Sequence, residues 1–245
     1  MSSPGTLRGF LAGAHVADEV FDLRPDYRAI LLAVDGLEPG PSDSYSDVLL
    51  QAAEAAANEY LSECDVEMLP HVASWREAYR AFGSKPQRTR NSLEALLRRA
   101  ASGLPRVNRL TDIYNAISVL HQIPLGGEDL HCYVGPPRLV RATGVEVFDT
   151  FADGIPAVEY PEPGEVVWCD SDGVTCRRWN WRQARRTRLS DDTSSALFVL
   201  DALAPITDEV LRTATEDLAG HLSTLGPHVQ AEYRLISATT AKKGD

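Results

Sequence analysis

The sequence predicts an α+β fold. Strand-type apolar runs stand near the N-terminus, capped helical segments fill the middle, and short β-type runs broken by Gly and Pro follow residue 125. That order implies C-terminal strands completing a sheet begun near the N-terminus, a central mostly antiparallel or mixed sheet flanked by helices. No linker is long enough to demand a second domain, so residues 1–245 read as one domain with a core over about 10–225 and a frayed tail at 238–245.

The elements follow from local chemistry. Val16–Leu23 and Ala29–Leu37 are predicted strands joined by a turn at Pro25-Asp26. Ser42-Asp43 caps an Ala-, Gln- and Glu-rich helix to about Ser62. Pro70–Phe82 is a short helix ended by Gly83, and Asn91 or Ser92 caps another over Leu93–Ala101. Asn108 opens a helix to about His121, whose Leu110, Ile113, Tyr114, Ile117 and Leu120 recur at helical spacing and form a core face. Beyond it, Leu139–Ala142, Val145–Phe148, Glu165–Cys169, Val174–Arg178 and Ala196–Asp201 read as strands. Pro205-Ile-Thr207 then caps a helix from Asp208 to about Leu225.

The formal net charge is -11, which argues against a general nucleic-acid binder, but the charge is unevenly spread. Residues 1–75 hold 13 acidic and three basic side chains, residues 76–109 hold nine basic against two acidic, and Arg177–Arg188 packs six arginines with no acid. No apolar run approaches membrane-spanning length, and no secretory signal opens the chain. The four cysteines, Cys64, Cys132, Cys169 and Cys176, form no C-x-x-C pair and no metal-ligand spacing, so reduced thiols in the cytoplasm and no metal site are expected.

Nucleotide-loop, nucleophile-elbow and zinc-protease motifs are missing from the sequence. Two segments stand out. Asn108, Asp112 and Asn115 share one helical face near exposed backbone N–H groups, suited to a substrate with an ammonium and an ester or carboxylate. Asn108 reads equally as an N-cap, and Asp112 as an ion-pair partner of Arg109 or Arg106. In the second segment Trp179 and Trp181 alternate with Asn180 and Arg182 behind Arg177 and Arg178. Arginines beside aromatic rings can stack on bases and pair with phosphates, while the tryptophans read alternatively as core.

Taken together, Asn108-Arg-Leu-Thr-Asp-Ile-Tyr-Asn115 with the following Pro124-Leu125, Gly164–Asp170, Arg177–Gln183, Thr187–Thr193 running into Ala196–Leu200, Phe82–Pro86 and Ser92–Arg99 resemble a known family. The chain is similar to the editing module of the bacterial phenylalanyl-tRNA synthetase beta subunit, the B3/B4 tRNA-binding domain, in its free-standing form. The resemblance implies a mixed fold, no cofactor, and a trans-editing aminoacyl-tRNA deacylase whose partner is the aminoacylated acceptor end of tRNA, with no role for DNA or membrane. The alternative is a tRNA- or ligand-binding module of the same fold without catalysis.

Within that resemblance, Asn108 and Asn115 would hold water or ribose hydroxyls, with Asp112 a further catalytic candidate on the same helix face. Backbone N–H groups at Gly126 and Gly127 would stabilise an oxyanion. Glu128, Asp129 or Glu159 would hold the substrate ammonium. Arg177, Arg178 and Arg182, beside Trp179, Asn180 and Trp181, would take the terminal phosphates. One departure is clear: Gly126 stands where the synthetase module has a pocket histidine.

Overall fold

The computed structural model describes residues 4–241. At its centre lie two eight-residue strands, β2 (Arg28–Asp35) and β10 (Ser195–Ala202), paired antiparallel along their whole length. They read as continuous apolar runs because both faces are covered. β11 (Gln230–Ser237) flanks β2 and β3 (Leu125–Asp129) flanks β10, giving the order β11-β2-β10-β3. The C-terminal strands thus complete a sheet begun near the N-terminus, as the sequence implies.

One face of this sheet, with Ile30, Leu32, Val34, Phe198 and Leu200, packs on α6 (Arg109–Leu120) and α7 (Asp208–Ser223) through Ile113, Ile117, Leu211, Leu218 and Leu222. The opposite face, with Leu31, Ala33, Leu197 and Val199, packs on Trp75, Leu139, Trp168 and Trp179. Leu139 and Trp168 belong to a second sheet ordered β1-β4-β7-β8-β9, from His15–Val16, Arg138–Arg141, Val166–Cys169, Val174–Arg177 and Arg182–Gln183. Its β1–β4 pair is parallel and its other pairs are antiparallel. A separate hairpin joins β5 (Phe148–Ala152) to β6 (Ile155–Glu159).

The two sheets meet at the free edge of β3. Asp129 N–H donates to Thr187 O at 2.8 Å, Gln183 Nε2 donates to Gly127 O at 2.8 Å, and Glu128 forms an isolated bridge with Arg188. Helices α3 (Ser44–Glu63), α4 (Pro70–Ala81) and α5 (Ser92–Ala100) stack outside α6 and the seam. Their caps fall where expected. Asp43 closes a capping box with Ser46, and Asn91 and Asn108 accept from Glu94 N and Thr111 N. No helix of the described residues is long and apolar enough to cross a membrane.

Three expectations are corrected. Val16–Leu23 is not a strand: after Val16 the chain enters α2 (Asp18–Leu23), with Asp18 and Glu19 complementing its N-terminus and Val20 and Phe21 buried. Val145–Phe148 is mostly turn, because Glu146 accepts from Thr143 N and Gly144 N, and the strand starts at Phe148. The turn at Pro25-Asp26 joins α2 to β2 rather than two strands. The structure adds α1 (Pro4–Ala12), β6 and β11. Of the expected frayed tail, 238–241 form a short helix, α8, and 242–245 lie outside the described residues.

Candidate active site

A cavity of about 230 Å³ opens at the seam. Ser92, Ala95, Leu96 and Arg99 make one wall, a single face of α5 by their spacing. From the central sheet come Gly126 and Glu128 of β3 and Val199 and Asp201 of β10, alternate residues pointing to one face. The second sheet and the turn after β8 supply Trp168, Cys176, Trp179, Asn180, Trp181 and Gln183, and α6 supplies Tyr114 and Asn115.

The turn 178–181 shapes this site. Arg178 and Trp179 both adopt left-handed backbone, φ 50° and 68°, which costs free energy for residues with a Cβ. Packing holds them there: the Trp179 ring is fully buried, 5.0 Å from Tyr27 and 5.3 Å from Trp75, and Trp179 N–H donates to Val166 O at 2.7 Å. The sequence alternative that Trp179 is a core residue therefore holds, although it also faces the cavity.

Two buried carboxyls lie at the cavity. Glu128 accepts a hydrogen bond from Tyr133 OH, and burial raises its pKa to about 7 despite that bond. Asp201 accepts from Tyr27 OH at 2.6 Å and from Asn180 Nδ2 at 3.3 Å, and burial lifts its pKa to about 7 as well. Asn180 is held from behind by Tyr79 OH, which donates to its Oδ1 at 2.9 Å. Glu128 lies opposite Leu197, four residues along β10 from Asp201, so the two acids are about 13 Å apart along the strands, at opposite ends of the cavity. Cys176 also lines it, but burial pushes its thiol well above the ordinary range, so it is no thiolate nucleophile at neutral pH.

Six of the sequence candidates border this cavity: Asn115, Gly126, Glu128, Trp179, Asn180 and Trp181. Asn115 makes no side-chain hydrogen bond to another described residue. Asn108 caps α6, and Asp112 is held by Ser46 Oγ at 3.1 Å and Val107 N at 2.8 Å rather than by an arginine. Asp129 accepts from His131 N and Thr193 Oγ1. Gly127 faces the helix side, where a Cβ would stand 2.8 Å from Leu189 Cδ1 and 2.9 Å from Phe198 Cε1. Asp201 N–H donates to Pro124 O, so by the alternation of an antiparallel ladder Gly126 with Val199 is also a hydrogen-bonded pair. The Gly126 N–H is thus used within the sheet, and the Gly127 N–H points to the outer edge.

The arginine segment is engaged internally. Arg177 bonds both oxygens of Glu165 and one of Glu159, each at 2.8 Å. Arg182 reaches the other Glu159 oxygen at 2.8 Å. Arg178 donates to Thr89 Oγ1 and stacks 4.6 Å from the Trp181 ring, which Arg182 also covers at 4.9 Å. At the cavity wall the cation is instead Arg99, exposed and without an ion pair among the described residues. Sequence reasoning missed Arg99, Asp201, Trp168 and Gln183. The signal for Asp201 was an acid inside an eight-residue run that is otherwise almost wholly apolar.

An α+β fold whose two sheets close over an acid-lined, tryptophan-walled cavity defines the class. Residues 74–221 match the model of the B3/4 domain family, more than half of the chain, and the chain belongs to that family. A crystal structure of an N-terminal fragment of the phenylalanyl-tRNA synthetase beta-subunit from Pyrococcus horikoshii is similar at 14% identity and a TM-score of 0.45, over 90% of this chain and 50% of that one. The chain therefore corresponds to about half the length of that fragment. A search of curated proteins gives no match.

Proposed function

We propose that the chain hydrolyses the ester of mischarged tRNA, acting in trans in the cytoplasm without a cofactor. The carrying observation is the cavity with two buried carboxyls whose pKa values lie near 7, the range in which a group both accepts and returns a proton at neutral pH. The B3/4 family membership supports an RNA-linked substrate. An aminoacyl ester is already activated, so a placed water and a nearby base suffice. In this reading Glu128 takes a proton from water as the water oxygen bonds to the acyl carbon. The acyl–oxygen bond to ribose then breaks, and the ribose oxygen recovers the proton. Asn115 orients the water or the carbonyl, and Asp201, fixed by Tyr27 and Asn180, meets the substrate ammonium.

A second reading, ligand binding without hydrolysis, is favoured by one observation: the Gly126 N–H is used in the sheet, so the neighbouring glycines offer no paired oxyanion donors. Incubating the protein with a panel of mischarged tRNAs separates the two. Hydrolysis predicts amino-acid release from at least one tRNA, lost in Glu128→Gln and Asn115→Ala. Bound tRNA that decays only at the uncatalysed rate sinks the deacylase reading.

A further inference from the structure

A second cavity, of about 310 Å³, lies on the other side of the 178–181 turn. The loop between α4 and α5 builds most of it. Gly83 (φ 87°) turns the chain at the end of α4, and Arg88 N and Thr89 N both donate to Lys85 O at 2.9 Å. That tight turn holds Lys85 and Arg88 on one rigid rim. Neither side chain has an ion-pair or hydrogen-bond partner among the described residues. Arg178 lines the cavity from the opposite wall, anchored on Thr89 Oγ1 and paired through Nε with Glu165 Oε2 at 3.4 Å. Ser84 also lines the cavity, with its hydroxyl oxygen buried from solvent and without a hydrogen-bond partner. Glu165 in the wall is covered by the Arg177 fork, and Glu162 stands on the exposed rim.

We infer that this cavity is a phosphate-binding subsite. Lys85 and Arg88, two cations without ion pairs on one turn, with Arg178 facing them from a wall where it is shared with Glu165, form a donor set suited to phosphate oxygens. The inference rests on the deacylase reading only for the source of the phosphate. Arg178 stacks on Trp181, and Trp181 lines the carboxyl cavity, so residues 178–181 are a shared wall. A ligand with its ester in the first cavity and its phosphodiester in the second would straddle that wall. The shared chemistry is a phosphate group, from the backbone of an RNA end or from a small phosphorylated metabolite.

The test measures binding of uncharged tRNA, and competition by pyrophosphate, for wild type and Lys85→Ala/Arg88→Ala across a salt series. Both side chains are exposed, so the thermal midpoint should not move, and the single Arg88→Gln variant repeats the test with less perturbation. If the phosphate belongs to RNA, tRNA affinity falls at least tenfold in the double variant. The slope of log K against log salt then shrinks by roughly 1.4, the loss of two single-strand phosphate contacts. If tRNA binding is unchanged but the binding of pyrophosphate is lost, the site serves a small phosphorylated ligand. If neither changes, the inference is overturned. Hydrolysis of an aminoacyl ester lacking phosphate should be equal in both proteins. Wild type that cleaves no ester at all would defeat the deacylase reading while leaving the phosphate result standing.

Discussion

Arg177 lays its guanidinium across both oxygens of Glu165, Nε and Nη2 each 2.8 Å away, with both side chains buried. The pair locks the turn that carries Arg178 and the tryptophans. Arg177→Ala leaves buried Glu165 with only Arg178, whose N and Nε lie 3.2 and 3.4 Å from its oxygens, so unfolding by denaturant should show a loss of about 3 kcal/mol. Arg177→Met with Glu165→Leu should cost less than either single change. A variant that lost tRNA affinity at full stability would instead give Arg177 a direct role in binding.

Neighbouring glycines of β3 should respond oppositely to alanine. At Gly126 a Cβ meets only the Gln183 amide nitrogen, at 3.0 Å, the far end of a flexible side chain. Gly126→Ala should fold within about 1 kcal/mol of wild type and alter ligand affinity, because it narrows the cavity. At Gly127 the Cβ drives into Leu189 and Phe198, and the expected loss is about 1–3 kcal/mol. Thermal melts paired with ligand titrations check both.

Under the proposed deacylase reading, the pH dependence of activity follows from Glu128. Its pKa is raised to about 7, so the carboxylate form appears only as the pH passes through that value. Ester hydrolysis should therefore rise through pH 7 and level off above it. Glu128→Gln should lower the rate by about 10²–10⁴-fold and flatten the profile. Stability carries the opposite sign: a raised carboxyl favours the fold below its unfolded pKa and loses that advantage as pH rises through 7. Glu128→Gln should gain stability relative to wild type on the alkaline side.

His71 supplies a contrasting stability signature. Its Nδ1 donates to Gln122 O at 2.7 Å, and its Nε2 accepts from Trp75 Nε1 at 3.0 Å and Leu203 N at 3.1 Å, so the ring is held neutral. Burial lowers its pKa to about 4. The unfolded chain binds the proton first, so this contribution is complete above about pH 6.5 and is lost as pH falls toward 4. The gap in thermal midpoint between wild type and His71→Gln should shrink over that window. A constant gap would mean that His71 already carries a proton in the fold.

What the sequence made legible was local. Asn108, Asn91 and Asp43 announce helix starts because a short polar side chain satisfies backbone donors within its own turn. Gly126 and Gly127 hid a strand because glycine carries no side-chain period, and β3 exists through pairing with β10 some 70 residues later. Arg177 and Arg182 resembled an RNA contact because their acidic partners, Glu159 and Glu165, lie 12 to 23 residues upstream and arrive through sheet register. Asp201 looked like a polar strand end, and its burial depends on Tyr27 and Asn180, both distant in sequence.

Strand β2 at residues 28–35 finds its partners only at 195–202 and 230–237. During synthesis the early strand must wait, shielded by helices or chaperones, until most of the polypeptide has emerged. A chain ending before residue 195 therefore has neither the central β2–β10 pair nor the wall bearing Asp201. The cavity is thus completed as a whole, late in synthesis, and fragments ending before residue 195 should be prone to aggregate rather than carry part of the site.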